Sequence, residues 1–187
     1  TYIEMPFNIY FLKNGKECVI RSERDGFPHL YLIDKNGRTK DQITKGPFAV
    51  HEVYGIDADD KWLYFQAAAP NPMERQVFKV NINNGNRKQL SDRKGTNRAA
   101  FSKSFDYYLN YHTSANQPYY ISLHNANGKE IRTLKDNKEL RNKLKDYAIS
   151  QKQFFSFKTS EDIELNAWMI KPPDFDSTKE YPVFITI

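Results

Sequence analysis

Short apolar and aromatic segments alternate with tight polar reversals through the first 136 residues. Asn-Gly pairs stand at Asn36-Gly37, Asn84-Gly85 and Asn127-Gly128, spaced by 48 and 43 residues. Leu30-Tyr31-Leu32-Ile33, Val77-Phe78-Lys79-Val80 and Tyr119-Tyr120-Ile121-Ser122-Leu123 precede them. Asn-Gly suits a type I′ hairpin turn, in which both central residues take positive φ. A second series of reversals, at Asn14-Gly15, Asp59-Asp60 and Phe105-Asp106, lies about 22 to 24 residues earlier. Cys18-Val19-Ile20, Trp62-Leu63-Tyr64-Phe65 and Tyr107-Tyr108-Leu109-Asn110-Tyr111 follow as strands. Between the two series run longer loops at 22–28, 67–75 and 113–118, each holding a strand-breaking proline. Connectors at 44–47 and 91–97 join the units, and seven of the eight glycines fall in turns or loops, Gly55 being the exception.

Four antiparallel strands in roughly 45 residues, repeated three times, predict β-propeller blades. A β-sandwich also reverses every 8 to 12 residues, but the near-constant period favours blades. The fold class expected is all-β, a partial β-propeller of about three four-stranded antiparallel blades. Propellers close with four or more blades.

After Asp136 the pattern changes. Residues 137–147 read as a short helix with Leu140, Leu144 and Tyr147 on one face and Asn137 as its cap. Phe154-Phe155-Ser156-Phe157-Lys158-Thr159 and Glu164-Leu165-Asn166-Ala167-Trp168-Met169-Ile170 form a hairpin through Ser160-Glu161-Asp162. Lys171-Pro172-Pro173 stops its second strand, and 183–187 read as a last strand. The expected domains are blades over 1–136, a helical linker over 137–151, and the opening strands of a separate domain over 152–187. In that reading Trp168 packs in the core of the second domain or at its border.

Composition narrows the classes. Hydrophobic residues at 39% and aromatic residues at 14% of 187 exclude a disordered chain. No run approaches the ~18 apolar residues of a membrane helix. Cys18 is the single cysteine, so there is no internal disulfide; its place between Glu17 and Val19 predicts a buried, inert thiol. The net charge is +5, with the signs interleaved. The densest basic stretch, 129–145, carries seven Lys or Arg but also Glu130, Asp136 and Glu139, which predicts a solvated surface and no nucleic-acid partner. Thr1-Tyr2-Ile3-Glu4 does not read as a signal peptide. A chain that starts without Met and stops in an apolar run is expected to be a piece of a longer protein.

Candidate chemistry is sparse. His29, His51, His112 and His124 are scattered, and His51-Glu52 point to opposite faces of a strand, so no metal site is expected. Ser102, Ser104, Asp106 and His112 lack the strained turn that presents a nucleophilic serine. Glu23-Arg24-Asp25 predicts a local salt-bridged turn; lining a channel or facing the second domain is the other reading. No catalytic, substrate-binding or metal residue is assigned, and no cofactor is expected.

Several segments nevertheless match a known family in order and spacing. They are Ser22-Glu23-Arg24-Asp25-Gly26-Phe27-Pro28-His29-Leu30-Tyr31, Gln42-Ile43-Thr44-Lys45-Gly46 with Val53-Tyr54-Gly55-Ile56-Asp57, Pro72-Met73-Glu74-Arg75, and Arg132-Thr133-Leu134-Lys135-Asp136-Asn137. The most specific is Leu165-Asn166-Ala167-Trp168-Met169-Ile170-Lys171-Pro172-Pro173-Asp174-Phe175-Asp176, followed by Lys179-Glu180-Tyr181-Pro182-Val183. From about Phe7 to Ile187 the chain resembles the dipeptidyl peptidase IV family, serine exopeptidases of the prolyl oligopeptidase class. The resemblance implies that 152–187 enter an α/β-hydrolase domain. It implies an enzyme that removes Xaa-Pro or Xaa-Ala dipeptides from free N-termini with a Ser-His-Asp triad, beneath a propeller that gates small peptide substrates. It further implies a homodimer and a periplasmic, secreted or membrane-anchored location. A family pair of glutamates that binds the substrate ammonium falls upstream of Thr1, and a family oxyanion-hole tyrosine just past Ile187. No Gly-x-Ser-x-Gly is present. This span is therefore expected to be structural and inactive alone. The alternative is a non-enzymatic propeller that binds proteins, or an inactive family member.

Overall fold

The computed structural model describes residues 9–186. Phe7, where the resemblance begins, and Ile187 lie outside the described residues. The chain divides into two compact units, Thr1–Asn137 and Lys138–Ile187.

The first unit holds three four-stranded antiparallel meanders. They are β1 (Ile9–Phe11), β2 (Glu17–Ser22), β3 (His29–Asp34) and β4 (Thr39–Gln42); β5 (Val50–Ile56), β6 (Trp62–Ala67), β7 (Gln76–Asn81) and β8 (Arg87–Gln89); and β9 (Thr96–Phe101), β10 (Tyr107–Ser114), β11 (Gln117–Asn125) and β12 (Glu130–Lys135). Strand order follows chain order in each sheet, as in propeller blades.

The reversals fall where the sequence placed them, but their chemistry differs. Only the glycine of each Asn-Gly pair takes positive φ, at 80° for Gly37, 69° for Gly85 and 88° for Gly128, so none is a type I′ turn. The Asx residue that ends the preceding strand sets the geometry. Asp34 Oδ1 accepts the N–H groups of Asn36 and Arg38, and Asn125 Oδ1 those of Asn127 and Lys129. Asn81 Oδ1 likewise accepts from Asn83 N–H. A side-chain acceptor of this kind favours an Asx turn, and glycine then closes the loop in the left-handed region. The expected loop at 113–118 is also corrected: β10 and β11 meet through Ala115 and Asn116 alone. Pro118 is the second residue of β11, beside a register shift between His112 and Ser114, where a missing N–H leaves no ladder bond unmade.

Neighbouring sheets pack face to face. Leu12, Val19, Leu30 and Ile43 of the first meet Leu63, Phe65, Phe78 and Val80 of the second. Tyr64, Val77 and Leu90 on the other side of the second sheet meet Ala99 and Tyr108 of the third, with Tyr54, Phe101 and Phe105 against them. Leu63 and Phe65 thus point one way from β6 and Tyr64 the other, and β7 is buried throughout. At the second joint Phe105 stacks on Tyr64, ring centroids 4.8 Å apart. Phe105 Cζ would lie only 2.6 Å from a Cβ at Gly55, whose φ is +142°. Gly55 is thus the strand glycine for a reason: it bulges β5 and admits an aromatic ring from the next blade.

The second unit contains α1 (Lys138–Leu144) and a ribbon of β13 (Gln153–Lys158) and β14 (Glu164–Met169). Asn137 does not cap the helix. Its φ is +52°, and its Nδ2 donates to Tyr119 O at 2.5 Å, closing β12 onto β11. Leu140, Leu144 and Tyr147 are exposed. Register places Phe155, Phe157, Leu165, Ala167 and Met169 on one face of the ribbon. Trp168, on the other face opposite Phe154, is 51% exposed under the Lys152 ammonium, so it is not packed in a core. Residues 183–186 are not a strand; Phe184 is 91% exposed, and no strand among the described residues pairs with them.

Two outcomes follow from the second joint. Gly55→Ala, which combines a forbidden φ with a ring in its way, lowers unfolding free energy by about 2 kcal/mol or more. A denaturant midpoint unchanged from wild type would contradict that packing. The phenols of Tyr54, Tyr64 and Tyr108 are pushed up by burial, that of Tyr64 to about 12, with the Asp57 and Asp106 charges adding to it. A raised folded-state value means that the folded form keeps protons the unfolded form loses. Stability is therefore intact below the ordinary value of 10 and declines as pH climbs from there towards 12. Phenolate absorbance should appear for these rings together with loss of the β-sheet circular dichroism signal, and Tyr64→Phe should flatten the decline. Ionisation of all tyrosines near pH 10 with the fold unchanged would contradict it.

Candidate functional site

The described residues form no catalytic constellation, and the reason lies in where each candidate side chain is held. His29 begins β3 and is buried. Its Nε2 donates to Gly46 O at 3.0 Å, so its Nδ1 accepts from the Thr44 hydroxyl at 3.1 Å. Thr44 Oγ1 in turn accepts Leu30 N–H at 2.9 Å. His124 is fixed in the other tautomer: Nδ1 donates to Gly128 O at 3.1 Å and Nε2 accepts from Ser122 Oγ at 2.8 Å. His112 donates from Nε2 to Lys94 O at 2.9 Å. These three rings tie a strand to a connector or turn. His51 alone is exposed; partial burial, then the Arg75 and Arg21 charges, hold its imidazole below the ordinary value. No group of three His, Cys, Asp or Glu that could hold a metal exists among the described residues.

Ser102 and Ser104 sit in the β9–β10 reversal with hydroxyls 3.4 Å apart, and Ser102 Oγ accepts Tyr107 N–H. Asp106 ends that reversal. His112 lies five residues further along β10 than Tyr107, about 17 Å away along the strand. The two serines meet each other, and His112 stands far from both. Cys18 is half-buried, and burial raises its thiol, which lowers its thiolate content.

Glu23-Arg24-Asp25 is a local turn, but no ion pair among the described residues holds it. Arg24 lies over the Tyr31 ring at 4.5 Å and donates to Ser22 Oγ and Thr39 Oγ1. Asp25 accepts from Gln42 Nε2. An aromatic face two residues into the next strand replaces the expected carboxylate partner.

Two features of the joint between the second and third sheets carry no sequence motif. One is a buried amide network. Gln66 Nε2 donates to Asn97 O at 2.6 Å, Asn97 Nδ2 to Gln76 Oε1 at 3.0 Å, and Asn110 Nδ2 to Asn97 Oδ1 at 3.0 Å. Ser91 Oγ joins it by donating to Gln76 Oε1 at 2.6 Å. The other is Lys79, buried in β7, whose Nζ donates to Ala126 O at 2.9 Å and Asn127 Oδ1 at 3.0 Å beneath the Trp62 ring. Burial lowers its ammonium, with Lys88 adding to that. The alternating apolar pattern of Val77-Phe78-Lys79-Val80 marks Lys79 only as facing the side opposite Phe78. Chemically, all of these groups hold strands and turns in place, and none presents an activated nucleophile.

The relatives of the chain show the family to which this arrangement of sheets belongs. A sequence profile of the "Dipeptidyl peptidase IV (DPP IV) N-terminal region" matches residues 1–119. The dipeptidyl peptidase 4 of Arthroderma otae is 32% identical over 178 residues, covering 92% of this chain and 23% of that protein. The dipeptidyl peptidase 4 of Trichophyton rubrum is 29% identical over 177 residues. The crystal structure of Porphyromonas gingivalis dipeptidyl peptidase 4 superimposes with a TM-score of 0.84 at 40% identity, covering 93% of this chain and 24% of that one. The chain thus spans about a quarter of the length of these relatives. Three stacked four-stranded meanders, a profile match across most of them and a shared fold place this chain in the dipeptidyl peptidase IV family.

Proposed function

We propose that the chain is the late-blade and domain-entry portion of a serine-type dipeptidyl peptidase that removes Xaa-Pro or Xaa-Ala dipeptides from free peptide N-termini. The observation that carries this reading is the superposition on Porphyromonas gingivalis dipeptidyl peptidase 4 over 93% of the chain. In this role the three sheets wall the passage that admits small peptides. The β13–β14 ribbon, with Lys171-Pro172-Pro173 after it, leads into the α/β-hydrolase domain. The exposed apolar face of the ribbon suits such a place, because a two-stranded ribbon needs a further layer to be stable.

The reaction belongs to residues outside this span. A serine attacks the scissile carbonyl, a histidine takes and returns the proton, and an aspartate fixes the histidine's tautomer. No Gly-x-Ser-x-Gly elbow lies in these 187 residues, and His29, His112 and His124 are committed to structural partners. What this chain supplies is rigidity: joints that keep the gate in register. The longer protein acts as a homodimer in the periplasm or outside the cell.

An Ala-Pro or Gly-Pro chromogenic anilide tests the reading directly. The isolated chain should release no chromophore, and the full-length polypeptide should turn it over. Robust hydrolysis by the chain alone would contradict the assignment of roles. A silent full-length polypeptide with bound peptide would favour the binding-module alternative.

A further inference from the structure

Three basic side chains, none of them paired with a carboxylate among the described residues, lie at one end of the first unit, the end that carries loops 23–28, 43–49 and 68–75. Arg21, near the end of β2, donates from Nη1 to Val50 O at 3.2 Å and His51 O at 3.4 Å. That bond ties it to the first residues of β5. Arg75, immediately before β7, donates from Nη1 to Pro72 O at 2.9 Å and Glu74 O at 2.8 Å. Val50 pairs with Ala67 and Ala67 with Gln76, so His51 and Arg75 lie at the same end of the middle sheet. The His51 ring is exposed there, and both guanidiniums are near enough to disfavour its protonated form.

Of the acids nearest in sequence, Glu52 and Glu74 are already engaged, and Glu23, two residues after Arg21, makes no ion pair with it. Glu52 points to the other face of β5 and takes Arg98 in a two-pronged pair, from Nε at 3.2 Å and Nη2 at 3.0 Å. The Glu74 carboxylate accepts Gln76 Nε2 at 2.8 Å. Among the described residues, none of Arg21, His51 and Arg75 has a carboxylate within 4.0 Å. Both arginines use Nη1 on backbone carbonyls, and among the described residues nothing bonds the Nε–Nη2 edge of either. That is the edge with which Arg98 grips Glu52 in the same molecule.

Like charges held together by backbone bonds raise the local potential and favour an anion between them. The unused edges favour a flat, two-oxygen acceptor, since a guanidinium fork matches a carboxylate with two parallel bonds. We propose that Arg21, His51 and Arg75 form a binding site for a carboxylate carried on a peptide, either its C-terminus or an acidic side chain. The peptide origin of that carboxylate rests on the proposed peptidase reading; the carboxylate chemistry does not.

The test follows the His51 ring protons by NMR in the 187-residue chain. The probes are an N-acetylated dipeptide with a free C-terminus, its C-terminal amide, and inorganic phosphate. The free acid should shift the His51 signals saturably, the amide should not, and phosphate should bind more weakly. Arg75→Gln should weaken the acid about tenfold, and Arg75→Lys, which keeps the charge and loses the fork, should weaken it nearly as much. Arg21→Gln should act in the same direction. Because Arg21 also braces β5, its thermal unfolding is measured alongside; should it unfold, the two Arg75 variants decide. No saturable shift, equal shifts from acid and amide, or phosphate binding as tightly as the acid would overturn the proposal. The readout involves no hydrolysis, so a full-length polypeptide without peptidase activity would refute the peptidase reading and leave this result standing.

Discussion

The middle sheet is apolar on both faces, and such a sheet is stable only when a neighbour covers each face. Leu63 and Phe65 leave β6 toward the first sheet, Tyr64 toward the third, and all three are nearly inaccessible to water. Removing either neighbour would expose several large side chains, each contributing about 1.5–3 kcal/mol when buried. Stacking therefore sets everything else. The connectors must return the chain to the first strand of the next sheet, the reversals must be short enough not to obstruct the joint, and the sequence must repeat at the spacing of the blades.

Within that frame the polar bonds choose the register in which apolar faces meet. Arg21 and Gln66 stand at the same place in successive blades, four residues into the second strand. Each sends its side chain to a carbonyl of the next blade's first strand. Tyr10 OH donates to Val53 O, and Ala99 N–H donates to Tyr54 OH, so tyrosines on the first strands make a parallel set. Greasy faces alone would slide; these bonds allow one alignment. Gly55 adds a steric lock, because the absence of its Cβ is what lets Phe105 reach across.

The parts of this architecture that depend on neighbours in sequence were legible, and the parts that depend on neighbours in space were not. The reversals at Gly15, Gly37, Gly85 and Gly128 stood out because positive φ has a local residue signature. Their turn type did not, because Asp34 and Asn125 determine it through side-chain bonds that an Asn-Gly pair does not announce. Pro118 misled because a proline is tolerated at a bulge, and the bulge arises from pairing with β10. The apolar residues on both faces of β14 mark Trp168 for a core or a border, and which of its neighbours cover it depends on strands beyond the two-stranded ribbon, on which it is exposed. Lys79 and the Gln76–Asn97–Asn110 amides read as ordinary strand residues, since nothing local distinguishes a polar side chain at a blade joint from one in water. For the candidate site, no elbow motif joins Ser102 to His112 in the sequence, and the two stand at opposite ends of β10. The sequence was silent on Arg21, His51 and Arg75, which lie far apart in the chain and come together only through strand pairing.

Native-state hydrogen exchange tests the central claim most directly, since it reads the stability of each strand separately. If burial on both faces of the middle sheet holds the first unit together, the amides of β6 and β7 should be the last to exchange. Those of β2, β3, β10 and β11 should follow, and those of β13 and β14 should exchange far sooner. Equal protection across the fourteen strands of the described residues, or slowest exchange in the β13–β14 ribbon, would contradict the account.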